Sequence, residues 1–239
     1  MTSRSKLRVA VWQCASRPGD VAGNLARLAE VAERLSAEDV DVLVTPEMFL
    51  TGYDVGPVEG LAPEGAEFQT VAAISERTGL AIAYGYPEAL AGGRVANAAL
   101  LVDRGVSVGR YRKRRMFGAL DADRFTPGSD LPVFALRGRD VGLLICFDVE
   151  HADDVRALAA AGASAVLVPT ANMAAYADVS TVLVPAHARE AGVGIAYANY
   201  CGAEGTLEYA GLSTIVGRDG SARALAAAEG ETVLIAELD

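Results

Sequence analysis

Short apolar runs, several of them hydrophobic on both faces of an extended chain, recur along this sequence with amphipathic stretches between them. LRVAVWQ (7–13) reads as a first buried strand. A helix is expected over 21–35, where Leu25, Leu28, Ala29, Ala32 and Leu35 fall at helical spacing. DVLVTPE (41–47) is a short β-branched strand stopped by Pro46, and a helix over 64–78 closes just before Gly79. LAIAYGY (80–86), RVANAALLV (94–102) and VSVGRYR (106–112) predict consecutive strands, with a tight connection over 103–105. Residues 113–130 are charged and irregular and end in Thr126-Pro127-Gly128, which marks a long loop, and long loops inside compact domains are usually functional or disordered.

The pattern then resumes. LPVFALR (131–137) and DVGLLIC (140–146) predict strands about a turn at Gly138 and Arg139. A helix follows over 153–161, a buried strand over 163–170, a helix over 180–191 and a strand over 192–199. Stretches 211–217 and 231–237 complete the sheets. Each half alternates strands with helices, and runs of strands alone lie between, so the expected class is α/β. Two mixed sheets packed face to face with helices outside, a four-layer α-β-β-α sandwich, would also explain strands apolar on both faces. No linker or low-complexity segment interrupts the chain, and residues 1–239 are read as one domain.

Composition narrows the function. Of 239 residues, 51% are hydrophobic and only 6% aromatic, so the core is built mainly from Ala, Val, Leu and Ile. A net charge of −10 argues against a nucleic-acid or anionic-membrane partner. Cys14, Cys146 and Cys201 are odd in number and far apart, which disfavours a disulfide framework and favours a reducing compartment. The N-terminus lacks an apolar signal region and no stretch is long enough to span a bilayer, so a cytoplasmic protein is expected. With two histidines, no CxxC pair, no HExxH helix and no phosphate-binding glycine string, no metal and no cofactor are expected.

The candidate chemistry sits where predicted strands stop. Glu47, Lys113 and Cys146 each end or follow a strand, and Asn172 follows another. Ligands of open α/β sheets bind at such carboxyl ends. Taken singly, each has an ordinary explanation: a solvated strand cap, part of the basic run RYRKRR, a core thiol. Together they make chemical sense. A thiol of pKa about 8.5 is mostly protonated at neutral pH. A carboxylate can take its proton during attack, and an ammonium can stabilise the developing oxyanion. A Cys–His hydrolase is the competing arrangement, with His151 or His187 as base; His151 reads instead as a helix-start residue and His187 as a packing or hydrogen-bonding residue.

Three stretches carry a resemblance. TPEMFLTGYDVG (45–56), GRYRKRRMFG (109–118) and GLLICFDVE (142–150) resemble, in order, the glutamate, lysine and cysteine motifs of the nitrilase or carbon–nitrogen hydrolase superfamily. AGASAVLVPTANM (161–173) and YANYCGAEGTLEYAGLSTIVGRDG (197–220) are similar to the stretches that follow in its amidase-like members. The resemblance implies Glu47 as general base, Lys113 as stabiliser of the tetrahedral intermediate and Cys146 as nucleophile, with the Phe147 backbone N–H as second oxyanion donor. It implies hydrolysis of a small-molecule amide through a cysteine thioester without a cofactor, in a homo-oligomer (dimer or higher). Tyr53 and Asn172 are candidate pocket residues. Asp121 stands where many members carry a glutamate one methylene longer, Arg115 and Met116 replace a His-Leu pair, and His151, Ala152 and Asp153 replace Phe-Pro-Glu. A nitrilase or N-carbamoyl amidohydrolase would use the same triad. A catalytically silent binding or regulatory protein on this fold stays open because of the altered loop.

Overall fold

The computed structural model describes residues 6–239. The first half follows the apolar runs: β1 (Leu7–Ala15), α1 (Val21–Leu35), β2 (Val42–Val44), α2 (Ala66–Thr78), β3 (Ala81–Ala89), β4 (Val95–Asp103) and β5 (Val106–Arg112). Asp20 caps α1 by accepting the Gly23 N–H, and α2 ends on Gly79 at φ 69°, the left-handed conformation that glycine takes without steric cost. A short α3 (Gly118–Ala122) interrupts the long loop, and β6 (Val133–Leu136) and β7 (Arg139–Leu143) form a hairpin. Then come α4 (Ala152–Ala160), β8 (Ala165–Pro169), α5 (Val184–Ala191) and β9 (Gly194–Ala198). The remaining strands are β10 (Tyr200–Glu204), β11 (Leu207–Ala210), β12 (Thr214–Val216), β13 (Ala222–Leu225) and β14 (Thr232–Leu238).

Two sheets result. One runs β11-β10-β1-β2-β3-β4-β5 with β14 also on β1; the other runs β13-β12-β9-β8-β7-β6. β1 changes partner along its length, pairing β14 over Leu7–Gln13 and β10 at Cys14 and Ala15. The central strands β1-β2-β3 and β7-β8-β9 are parallel, as crossover helices require. The period of two explains the doubly apolar strands. Val9 and Val11 of β1 face the inter-sheet core with Leu143, Leu167 and Ala196. Ala10, Trp12 and Cys14 face outward, into a second core with Leu28 and Val31 of α1 and Val71 of α2. On the second sheet, Leu158 of α4 packs against Gly142, and α5 lies on β9 and β12. The layers are therefore helix, sheet, sheet, helix, the sandwich expected from the sequence. No helix of the described residues is long and apolar enough to cross a membrane.

Several boundaries differ from the pattern. The run VGLLIC was expected to be strand through Cys146, yet the strand ends at Leu143, followed by one more bond to β8 from the Leu144 N–H to the Leu167 carbonyl (3.2 Å). Leu144 and Ile145 are apolar because they plug the core, and Cys146 opens a 3-10 turn, Cys146–Glu150, with φ 46°. The β6–β7 turn lies at Arg137 and Gly138 (φ 54° and 81°), one residue before the expected place. The expected helix over 180–191 begins as a π-wound turn, Val179–Leu183, just ahead of Pro185, which has no N–H to donate. The strands β10, β11 and β13 had no counterpart in the apolar pattern.

Candidate active site

Glu47 is positioned by a turn that locks the two sheets together. After β2 the chain bends at Pro46, and the Glu47 N–H donates to the carbonyl of Thr170, just beyond β8, at 3.2 Å. Met48 sits at φ 52° directly against β3. A Cβ at Gly85 would lie 2.4 Å from the Met48 nitrogen, so only glycine lets this turn rest on the strand. Lys113 leaves β5 with its N–H on the Asn97 carbonyl of β4 (2.8 Å) and its carbonyl on the Gly128 N–H (2.8 Å).

Both side chains are fully buried. Lys113 Nζ donates to Glu47 Oε1 at 2.7 Å and lies 2.6 Å from Asp121 Oδ2. Asp121, on α3, also accepts from the Tyr53 hydroxyl (2.8 Å) and from the Phe117 N–H (2.9 Å). Its shorter side chain thus reaches the lysine, because α3 carries its backbone inward. The Lys113 ammonium also stands 5.9 Å from the Tyr53 ring centre. Burial disfavours the charge on Lys113, but Glu47, Cys146 and Asp121 outweigh it and hold the ammonium well above its ordinary value. Burial pushes the Glu47 carboxyl up, with the Lys113 charge opposing. Glu47 Oε1 is filled by Lys113 and by Asn97 Nδ2 (2.6 Å), while the buried Oε2 has no partner.

Cys146 is presented differently. It is partly exposed, and its left-handed backbone turns the chain out of the apolar run. Burial raises its thiol well above the ordinary value, Glu47 adds to this, and Lys113 and the Ala171 N–H oppose it. The thiol is therefore protonated at rest, with a carboxylate within electrostatic reach. Phe147 is the second residue of the turn, where a first-turn N–H has no acceptor inside the helix.

The structure also reveals a carboxylate that sequence reasoning missed. Asp148 is fully buried and accepts four hydrogen bonds. Its Oδ1 takes the N–H groups of Arg114 (3.2 Å) and Arg115 (2.7 Å); its Oδ2 takes Ile145 N–H (3.1 Å) and the Tyr111 hydroxyl (2.8 Å). It ties the lysine segment to the cysteine turn. Burial raises its pKa to about 6. An acid directly after Cys-Phe, inside an otherwise apolar stretch, was the available signal. Asn97, alone among apolar residues in VANAALLV, was another.

The remaining candidates are engaged within the protein. Tyr53 spends its hydroxyl on Asp121. Asn172 donates its side-chain N–H to the Tyr176 carbonyl (2.9 Å) and its backbone N–H to Asn199 Oδ1 (2.8 Å). His187 Nδ1 bonds the Val149 carbonyl at 2.9 Å, and the His151 ring packs edge-on to Phe147 at 4.9 Å. Arg115 turns away to Asp154, at 3.0 Å. Among the described residues, no group of three or more His, Cys, Asp or Glu side chains could hold a metal ion.

The chain is similar to known proteins along most of its length. A family model described as carbon-nitrogen hydrolase matches residues 8–239. The "hydrolase in pqqF 5′ region" of Pseudomonas protegens is 47% identical over 98% of this chain and 83% of its own. The (R)-stereoselective amidase of a Pseudomonas species is 33% identical over 88% of this chain and 77% of its own. The solved structure of an amidase from Nesterenkonia sp. matches with a TM-score of 0.89 at 34% identity, covering 97% of this chain and 90% of that one. One mutant of that amidase binds butyramide, and another carries the acetamide moiety of fluoroacetamide on its active-site cysteine.

Proposed function

The chain belongs to the carbon–nitrogen hydrolase family, and on that premise we propose that it is an amidase that hydrolyses a small non-peptide amide to a carboxylic acid and ammonia. One observation carries the reading: a buried ammonium held between two carboxylates, with Glu47 Oε2 unpartnered and the Cys146 thiol in the field of the same pair. Such a cluster has no use in packing, since a buried ion pair seldom stabilises more than an apolar replacement. The covalent small-amide adduct on the cysteine of the Nesterenkonia relative supports the substrate class.

Cys146 Sγ attacks the amide carbon as its proton passes to Glu47 Oε2. Lys113 and the Phe147 N–H stabilise the oxyanion that forms. The C–N bond breaks as Glu47 returns the proton to nitrogen, releasing ammonia and leaving a thioester. Water then gives a proton to Glu47 and its oxygen to the acyl carbon. The acid leaves and the sulfur regains its proton. The raised thiol fits this sequence, because the nucleophile is deprotonated during attack.

Replacing Cys146 by Ala tests the assignment. The variant folds, shown by an unchanged circular dichroism spectrum, and releases no ammonia from acetamide or butyramide. Undiminished turnover would sink the reading. Parallel assays with the matching nitriles and N-carbamoyl compounds separate an amidase from the other chemistries that use the same triad.

A further inference from the structure

β4 carries one polar side chain into the apolar interior. Asn97 is 1% exposed. Its Nδ2 donates to Glu47 Oε1 at 2.6 Å, the oxygen that also accepts from Lys113. Its backbone carbonyl accepts the Lys113 N–H at 2.8 Å. One residue therefore fixes Glu47 through its side chain and Lys113 through its main chain. The other carboxylate oxygen is left buried and unpartnered, and such an atom calls for an explanation in strain or chemistry.

We propose that Asn97 is a positioning residue that, together with Lys113, occupies Glu47 Oε1 so that Oε2 alone exchanges protons with Cys146 and the attacking water. The proposal rests on the amidase reading of the site and adds the atom that acts as base and the residue that selects it. A carboxylate whose two oxygens were equally free could rotate and present either one. Two donors on one oxygen, from strand β4 and from the end of β5, stop that rotation and draw charge toward Oε1.

The surroundings of Glu47 fix the direction of the effect. Lys113 after β5, Asp121 of α3, Tyr53 of the loop after β2 and Cys146 of the turn after β7 all interact with its charge, as do Tyr197 of β9, Tyr200 of β10 and Tyr209 of β11. Burial and Asp121 raise the carboxyl, whereas Lys113 and the Asn97 hydrogen bond lower it. Removing the Asn97 donor therefore raises it further. The base is then protonated over a wider acid range.

Asn97→Leu keeps the volume of the side chain and removes the donor. The pH profile of kcat/KM for butyramide is the measurement. The acid limb of the variant moves upward by about one pH unit, and the rate lost near pH 6 is largely regained at higher pH. An unmoved limb with a rate lowered equally at every pH makes Asn97 a packing residue and overturns the proposal. Alkylation of Cys146 by iodoacetamide, followed by intact mass over the same pH range, reads the same limb without turnover. A wild-type protein that hydrolyses no amide thus sinks the proposed activity while the alkylation limb still decides the role of Asn97. Asn97→Ser is the second variant if leucine disrupts folding. If both variants are unfolded, Asn97 serves the fold alone and the proposal fails.

Discussion

Lys113 and Arg115 stand two residues apart in one basic run, yet they occupy opposite electrostatic worlds. Lys113 is fully buried, 2.7 Å from Glu47 and 2.6 Å from Asp121. Arg115, with its side chain 38% exposed, rests on Asp154 of α4 at 3.0 Å, and Arg114 joins the same carboxylate from the side at 2.7 Å. Both pairings match cation to anion at similar distances, so distance does not separate them. The surrounding medium does. Near water a pair is screened and contributes little, whereas in the interior each charge depends on its partner. The segment thus has an inner residue that holds chemistry and outer residues that dock the loop, with Asp148 gripping the backbone between them.

The sharpest way to break this contrast is at its inner end. Lys113→Met leaves Glu47 and Asp121 facing each other in a dry site. Ammonia release falls to background, and stability drops by about 3–5 kcal/mol. Urea unfolding with a parallel assay checks both, and a variant within tenfold of wild-type turnover would refute the role of the lysine. Asp148 comes next, through pH. Its unfolded value is the ordinary 3.8 and its folded value about 6, so between these the folded protein binds more protons. The stabilisation linked to this proton is complete below the lower value and is lost as pH rises through about 6. Compared with Asp148→Asn, the wild type therefore loses about 2 kcal/mol between pH 4 and pH 7, read from denaturant midpoints. Parallel pH curves for the two proteins would contradict the shift.

Asp121→Asn is gentler. The amide keeps one acceptor oxygen but loses the charge shared by Lys113 and Tyr53, which lowers kcat/KM by about 10–100-fold, equivalent to losing one charge-assisted hydrogen bond. Steady-state kinetics with butyramide measure it. Arg115→Ala is the smallest, changing kcat/KM by no more than about twofold with an unmoved melting temperature. A large loss there would erase the distinction between inner and outer residues.

The same contrast marks what the chain discloses before folding. Strands such as β1 and β4 were legible because burial on both faces forces continuous apolarity, and α2 because Gly79 punctuates it. The run ending at Cys146 misled by three residues, since apolarity reports burial, and Leu144 and Ile145 are buried beyond the end of the strand. The β10–β11 hairpin was hidden by its glycines and by Glu204, a buried acid that accepts from the Asp54 N–H and the Tyr209 hydroxyl. β13 is mostly exposed and left no apolar trace. At the site, Glu47, Lys113 and Cys146 were singled out by their places at the ends of predicted strands, and the motif resemblance supplied their roles. Which basic residue turns inward was carried by the motif resemblance, because five Arg or Lys residues around one Tyr in RYRKRR have no periodicity that singles out one. Asp148 and Asn97 stand out as lone polar residues in apolar stretches, but Arg115 and Glu47, which they bind, lie far away in sequence and nothing local names them.

The central claim is that this buried charge cluster makes Cys146 an acyl-accepting nucleophile. Its most direct test is intact-protein mass spectrometry after mixing with a small reactive amide or ester and quenching in acid. The account predicts one acyl group on the wild type, mapped by peptide digestion to Cys146, and none on Cys146→Ala or on Lys113→Met. An acyl group on another residue, or ammonia release from the Cys146→Ala protein, would contradict it.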